Sequence, residues 1–180
     1  MKILYLLVLV SIISGCVQQK RVIDGYSYRR IQLNSRLVDF KIIDQRDSIS
    51  KELVRIPALS LPNQNFAAFP PIDARIENAI KRNFETYFSL QGNEIKAELR
   101  IKNASQEFRA DWNSETEFAK VNIEIDLTDM KTNYTKSCFA SGFLAHTSRD
   151  AKRAVMDTLY TQAFRQSINN VLNIWNSFLL

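Results

Sequence analysis

From Glu94 to Lys102 the chain alternates without a break, with Ile95, Ala97, Leu99 and Ile101 apolar and Glu94, Lys96, Glu98, Arg100 and Lys102 charged. A period of two puts these sets on opposite faces of a strand, one buried and one wet, as in an antiparallel sheet. Ala119, Val121, Ile123, Ile125 and Leu127 repeat the pattern against Lys120, Asn122, Glu124 and Asp126. Asp129 to Asn133 then reads as a turn, with Tyr134 to Ala145 returning as the hairpin partner. Upstream, Leu37 to Ile43 predicts a first strand with Val38, Phe40 and Ile42 on one face, while Ile31 and Leu33 leave room for an earlier start.

Two segments carry the helical period instead. After Pro70-Pro71, the residues Ile76, Ala79, Ile80, Phe84, Tyr87 and Phe88 recur at threes and fours, predicting a helix from about Asp73 to Leu90. Asp73 suits its N-cap, and Gly92 its end. Thr147-Ser148-Arg149-Asp150 resembles a capping box and would open a second helix to near Asn176, about 27 residues and ~40 Å long. Its apolar residues, among them Val155, Leu159, Ile168 and Trp175, drift around the axis, so it should touch more than the sheet. The expected architecture is α+β: a two-layer sandwich in which two helices cover one face of a mostly antiparallel sheet of about four strands.

The segment from Ser48 to Pro71 fits neither period. It holds Pro57, Pro62 and Pro70 together with Leu53, Val54, Ile56, Leu59, Leu61, Phe66 and Phe69. Connections of this length are uncommon unless they have a task, and its apolar content should pack on the domain or on a partner. Leu53, Ile56, Phe66 and Phe69 are therefore candidate partner-binding residues. Asp44 and Arg46, in the charged cluster that ends the first strand, are further candidates; a local salt bridge closing the strand end is the commoner role for such a pair.

The first sixteen residues change the picture most. Lys2, an apolar run from Ile3 to Ile13, and Ser14-Gly15-Cys16 have the form of a secretory signal whose core is too short to span a bilayer. Ile13-Ser14-Gly15-Cys16 resembles the lipobox of bacterial lipoproteins, in which the cysteine is acylated and becomes the new N-terminus. That resemblance implies removal of residues 1–15, lipidation of Cys16 and, because Val17 rather than aspartate follows, an outer-membrane address facing the periplasm. Residues 16–35 would form a lipid-anchored tether with Lys20, Arg21, Arg29 and Arg30 close to the head groups, and 36–180 a single domain.

Composition narrows the chemistry. A net charge of +5 does not demand nucleic acid, and a secreted address argues against it. The glycines, at 15, 25, 92 and 142, write neither a P-loop nor a dinucleotide fingerprint. With His146 the only histidine, and Cys138 the only cysteine left after lipidation, a zinc site is improbable and no internal disulfide can form. Cys138 and His146 lie at opposite ends of one predicted strand, ~25 Å apart, which separates nucleophile from base. No metal, cofactor or enzymatic activity is expected; Cys138 should be buried and His146 a polar residue at a strand end.

The lipobox at Cys16, the strand ending Asp44-Gln45-Arg46, the segment from Tyr134-Thr135-Lys136 through Gly142-Phe143, and the closing amphipathic helix together resemble the YajG-like lipoproteins of Gram-negative bacteria. More distantly, the layout is similar to small lipoproteins that assist envelope machines, such as auxiliary lipoproteins of lipid-transport ABC systems and the lipoprotein that plugs the lipopolysaccharide translocon. The resemblance implies an accessory or structural role in an envelope assembly, with the membrane engaged through the lipid and a second envelope protein as partner. The alternative is a carrier or sensor of a lipid or other apolar ligand, with a pocket lined by residues such as Phe84, Phe88, Val121 and Ile123. Strand order, orientation and oligomeric state are left open by the sequence.

Overall fold

The computed structural model describes residues 32–176, so the signal, Cys16 and most of the expected tether lie outside the described residues. Five strands and two helices follow in the order β1 (Leu33–Asp44), β2 (Gln64–Ala68), α1 (Ala74–Glu85), β3 (Phe88–Ala110), β4 (Glu115–Asp129), β5 (Thr135–Ser148) and α2 (Arg153–Asn176). The sheet runs β1-β3-β4-β5, with β2 paired to β3 as well. β1 is parallel to β3 and every other pairing is antiparallel. The fold is α+β, two helices against a mostly antiparallel five-stranded mixed sheet, one strand more than the periodicity predicts.

The additional strand is β2, inside the segment read as irregular. β1 pairs with β3 as far as Ile101, and β2 pairs with it from Gln106 to Ala110. The opposite edge of β3 is taken by β4, so β1 and β2 lie one after the other along a single edge.

β3 is 23 residues long because a bulge keeps it in phase with the core. Ile95, Ala97, Leu99 and Ile101 are buried, then the register shifts across Lys102, and Ala104, Gln106, Phe108 and Ala110 are buried. One extra residue restores the inward set to the same face. A bulge between Leu37 and Asp39 acts likewise in β1. Val38, expected inward, is 44% exposed, while Leu37, Phe40 and Ile42 pack against the core.

Helix α1 is shorter than predicted. Asp73 caps it, its carboxylate accepting the Ile76 amide at 2.8 Å, but the helix ends at Glu85 and Phe88 already belongs to β3. Phe84 stacks on Phe40 with ring centroids 4.3 Å apart and tilts against Phe88 at 5.1 Å. Gly92 is therefore no helix stop. It sits within β3 at φ +109°, with its Cα against the Asn34 carbonyl, where a Cβ would collide.

The second helix also starts later than expected. β5 continues to Ser148 because His146 and Ser148 keep the inward alternation, and α2 begins at Arg153. The entry to the helix is held by β4: the Glu115 carboxylate accepts the Ala151 amide at 2.6 Å and Glu117 accepts the Lys152 amide at 2.8 Å, both just before Arg153. The helix then crosses β5 and β4 and touches α1. Ala140 and Gly142 are small on the inward face of β5, and Gly142 lies directly beneath the Ala163 carbonyl.

The main core, closed by residues from Leu33 to Trp175, fills the space between helices and sheet. A second cluster of Val54, Ala68, Phe108, Ala110, Ala151 and Met156 joins the long connection to the far end of β3.

Candidate partner-binding surface

Arg46 occupies the gap between the two strands on the edge of β3. Its guanidinium is 2% exposed. Two nitrogens donate to the Asp44 carboxylate at 2.8 and 2.7 Å. The third donates to the carbonyls of Pro70 at 2.9 Å and Ala104 at 3.1 Å. The Ala104 carbonyl falls where neither β1 nor β2 pairs with β3, so the arginine supplies the donor that a continuous strand would have given. Tyr160 of α2 closes the cluster, its hydroxyl reaching toward the Pro70 carbonyl at 3.5 Å. Hydrogen bonding to Arg46 holds the Asp44 carboxyl below its ordinary range, and burial pushes Tyr160 up to about 12.

The other nominated residues of the 48–71 segment divide between interior and surface. Ile56 and Phe66 pack against the second cluster. Phe69 is half-buried, and its amide donates to the Ser50 hydroxyl at 2.9 Å. Leu53 is 52% exposed. Arg153 anchors the segment through the Val54 carbonyl. Asp44, Arg46, Ile56 and Phe66 thus serve internal closure, and Leu53 alone of the six presents most of its side chain outward.

The sheet face opposite the helices is uncovered by any described element. Its centre is a charge lattice in which Arg100 reaches Glu98 at 2.8 Å, Glu124 at 3.2 Å and Asp126 at 2.6 Å. Lys102 adds a contact to Glu124 at 3.0 Å. These bonds, Lys102 first and then Arg100, lower the Glu124 carboxyl, while Oδ1 of Asp126 is buried without a partner. Beside it lies a different surface. Phe139 and Phe143 of β5 are more than half exposed, and Phe143 meets Phe118 of β4 with centroids 5.9 Å apart. An open crevice of about 350 Å³ continues from Phe118 across Arg109 to Phe66. The register identifies this strip: once Cys138, Ala140, Gly142 and Leu144 are inward, Phe139 and Phe143 must face out. Sequence reading missed it because the inward positions of β5 are small, so its largest apolar residues are the ones turned to solvent.

Cys138 is buried, which pushes its thiol up, away from the reactive thiolate. His146 is also buried, with Nδ1 3.0 Å from the fully buried Glu117 carboxylate. Since Glu117 also accepts the Lys152 amide, the pair fastens α2 to β4. Cys138 and His146 stand eight positions apart along β5. Among the described residues no group of histidine, cysteine and carboxylates could hold a metal ion.

Phe84, Val121 and Ile123, named for a ligand pocket, are fully buried in the main cluster, with Phe88 packed against it. A separate groove of about 620 Å³ opens between α1 and α2, with Ile80, Phe164 and Ile168 in its floor and Arg82, Asn83 and Arg165 on its walls. The Oδ1 of Asn83 is buried there without a protein partner.

No family model matches the sequence, and no curated protein aligns with it significantly. Solved structures are similar in fold. XCC0632 from Xanthomonas campestris, described as DUF330, shares 12% identity over 84% of this chain and 92% of that one, with a TM-score of 0.46. An uncharacterised protein shares 11% over 80% and 94%, with a TM-score of 0.43. A candidate lipoprotein from Caulobacter crescentus shares 8% over 59% and 82%, with a TM-score of 0.38. At these identities and TM-scores no activity is carried across. No helix among the described residues is long and apolar enough to cross a membrane.

Proposed function

We propose that this chain is a YajG-like outer-membrane lipoprotein, held by lipid on Cys16 and facing the periplasm, that acts as a non-enzymatic accessory or structural component of an envelope assembly. Its uncovered sheet face binds the protein partner. The observation that carries this reading is the strip of Phe118, Phe139 and Phe143, outward at positions where a solvated sheet face is polar. Clustered aromatics beside a charged rim have the composition of a protein-contact hot spot. A photo-crosslinking side chain at Phe139 or Phe143 in the natively lipidated protein should capture one defined envelope protein, and the same group at Lys81 on the helical layer should not. Equal capture at both positions, or none with an active crosslinker, overturns the docking face. Cys16 is tested separately: mass spectrometry of the membrane-extracted protein should find acyl chains on Cys16 that are absent from Cys16→Ser, and an unmodified Cys16 in the parent would refute lipid anchoring.

A second reading, a carrier or sensor of an apolar ligand, is supported by the groove between the helices and the unpartnered buried oxygen of Asn83. Native mass spectrometry of the purified protein should then find a bound amphiphile that is lost in Ile168→Trp. A ligand-free spectrum of the gently purified protein would reject it.

A further inference from the structure

The two ends of the sheet differ. Leu33 pairs with Phe88 at the start of β3, so the chain from Cys16 arrives at that end. At the other end of β3, the Asn63 amide donates to the Ala110 carbonyl at 2.9 Å, and the Asp111 amide closes the β3–β4 turn on Ser114 at 2.8 Å. Two turns therefore lie side by side, the first fixed by Leu61 donating to the Gln64 side chain at 3.1 Å and by Asn63 at φ 65°. Trp112, 83% exposed, lies in the second turn, Leu61, 59%, directly precedes the first, and Leu59, 81%, stands two residues further upstream.

We propose that this pole is a second membrane-contact site, independent of the acyl chain, that inserts Leu59, Leu61 and Trp112 into an anionic lipid surface. Single exposed apolar residues are ordinary; Leu59, Leu61 and Trp112, in or just before adjacent turns and amid Ser60, Asn63, Asp111 and Asn113, are a concentration of them. A side chain four-fifths exposed touches little of its own protein. A flat partner would cover one side of it, whereas the head-group boundary of a bilayer surrounds a protruding tip. Tryptophan favours that boundary because its ring is apolar and its N–H stays hydrated. Charge agrees with an anionic surface: Arg55 and Arg149 are exposed near this end, while Asp111 is paired with Arg109 at 3.2 Å and Asp150 with Lys152 at 3.8 Å.

The test uses residues 17–180, because the core closes between Leu33 and Trp175, mixed with phosphatidylethanolamine/phosphatidylglycerol vesicles bearing brominated acyl chains. Trp112 emission should shift to the blue and be quenched, while the buried Trp175 is the unquenched reference. Leu59→Ser/Leu61→Ser should weaken vesicle co-sedimentation about tenfold or more without altering the thermal melt. Unchanged emission on adding vesicles would identify the pole as a protein-contact or solvated surface and overturn the proposal. So would co-sedimentation that is the same in Leu59→Ser/Leu61→Ser/Trp112→Ser as in the parent.

Discussion

Removing the guanidinium of Arg46 leaves the Pro70 and Ala104 carbonyls and the Asp44 carboxylate without their donor. Bonds to a charged group are worth about 1.5–3 kcal/mol each, and leaving buried partners unmade costs more than never having them. Arg46→Met should therefore lose about 3 kcal/mol, a fall of roughly 6–12 °C in melting temperature for a domain of this size. Acid sensitivity should follow the same pair. Because the folded Asp44 carboxyl is held below its ordinary value, its share of stability is complete above that value and lost as pH falls through the lowered one. Asp44→Asn should accordingly be less stable than the parent at pH 7, with the gap between the two denaturation midpoints narrowing below about pH 4. A gap independent of pH would mean that the carboxylate charge contributes nothing. The Asp44-Gln45-Arg46 sequence announced a salt bridge, but the carbonyls that require it lie 24 and 58 residues away, beyond the reach of any local pattern.

Between elements, the closest approach is that of α2 to β5. A Cβ on Gly142 would collide with the Ala163 carbonyl and stand 2.7 Å from the Ser167 hydroxyl, so helix and strand would have to separate. Overpacking of this kind costs ~1–3 kcal/mol, and more where backbone must move. Gly142→Ala should lower the unfolding free energy measured by chemical denaturation by at least ~2 kcal/mol, whereas Ser141→Ala on the outward side of the same strand should change it little. Such contacts explain which elements the sequence disclosed. The alternation of β4 is unbroken, and all of Glu117, Ala119, Val121, Ile123, Ile125 and Leu127 are inward as the period of two demands. β3 was legible only from Glu94 to Lys102, since the bulge there inverts the phase and the alternation stops. Tyr87 and Phe88 extend the helical spacing of α1 although the helix ends at Glu85 and Phe88 opens β3, because one core receives both elements. The N-terminus of α2 was misplaced for a related reason. The amides of Ala151 and Lys152 leading into it are met by Glu115 and Glu117 from another strand, so the helix starts beyond the local Thr147–Asp150 signal.

At the scale of the whole molecule, the described chain enters beside Phe88 and the proposed pole lies at the Ala110 end of β3, which spans up to ~75 Å when fully extended. The seventeen residues from Cys16 to Leu33 reach at most ~60 Å. A pole that inserts three side chains binds weakly by itself, yet tethering it to the same surface raises its effective concentration to the order of millimolar. The lipidated protein should therefore lie with its long axis along the bilayer, attached at both ends, and leave the phenylalanine strip available to a partner. Quenching of Trp112 by brominated lipid should then be strong and independent of vesicle concentration when the protein is reconstituted through its own anchor. Quenching that grows with vesicle concentration would mean that the pole reaches a second bilayer instead, with the domain standing upright between two membranes. In either geometry Leu59→Ser/Leu61→Ser should free the pole while leaving the protein membrane-bound through Cys16, which separates the contribution of the fold from that of the lipid.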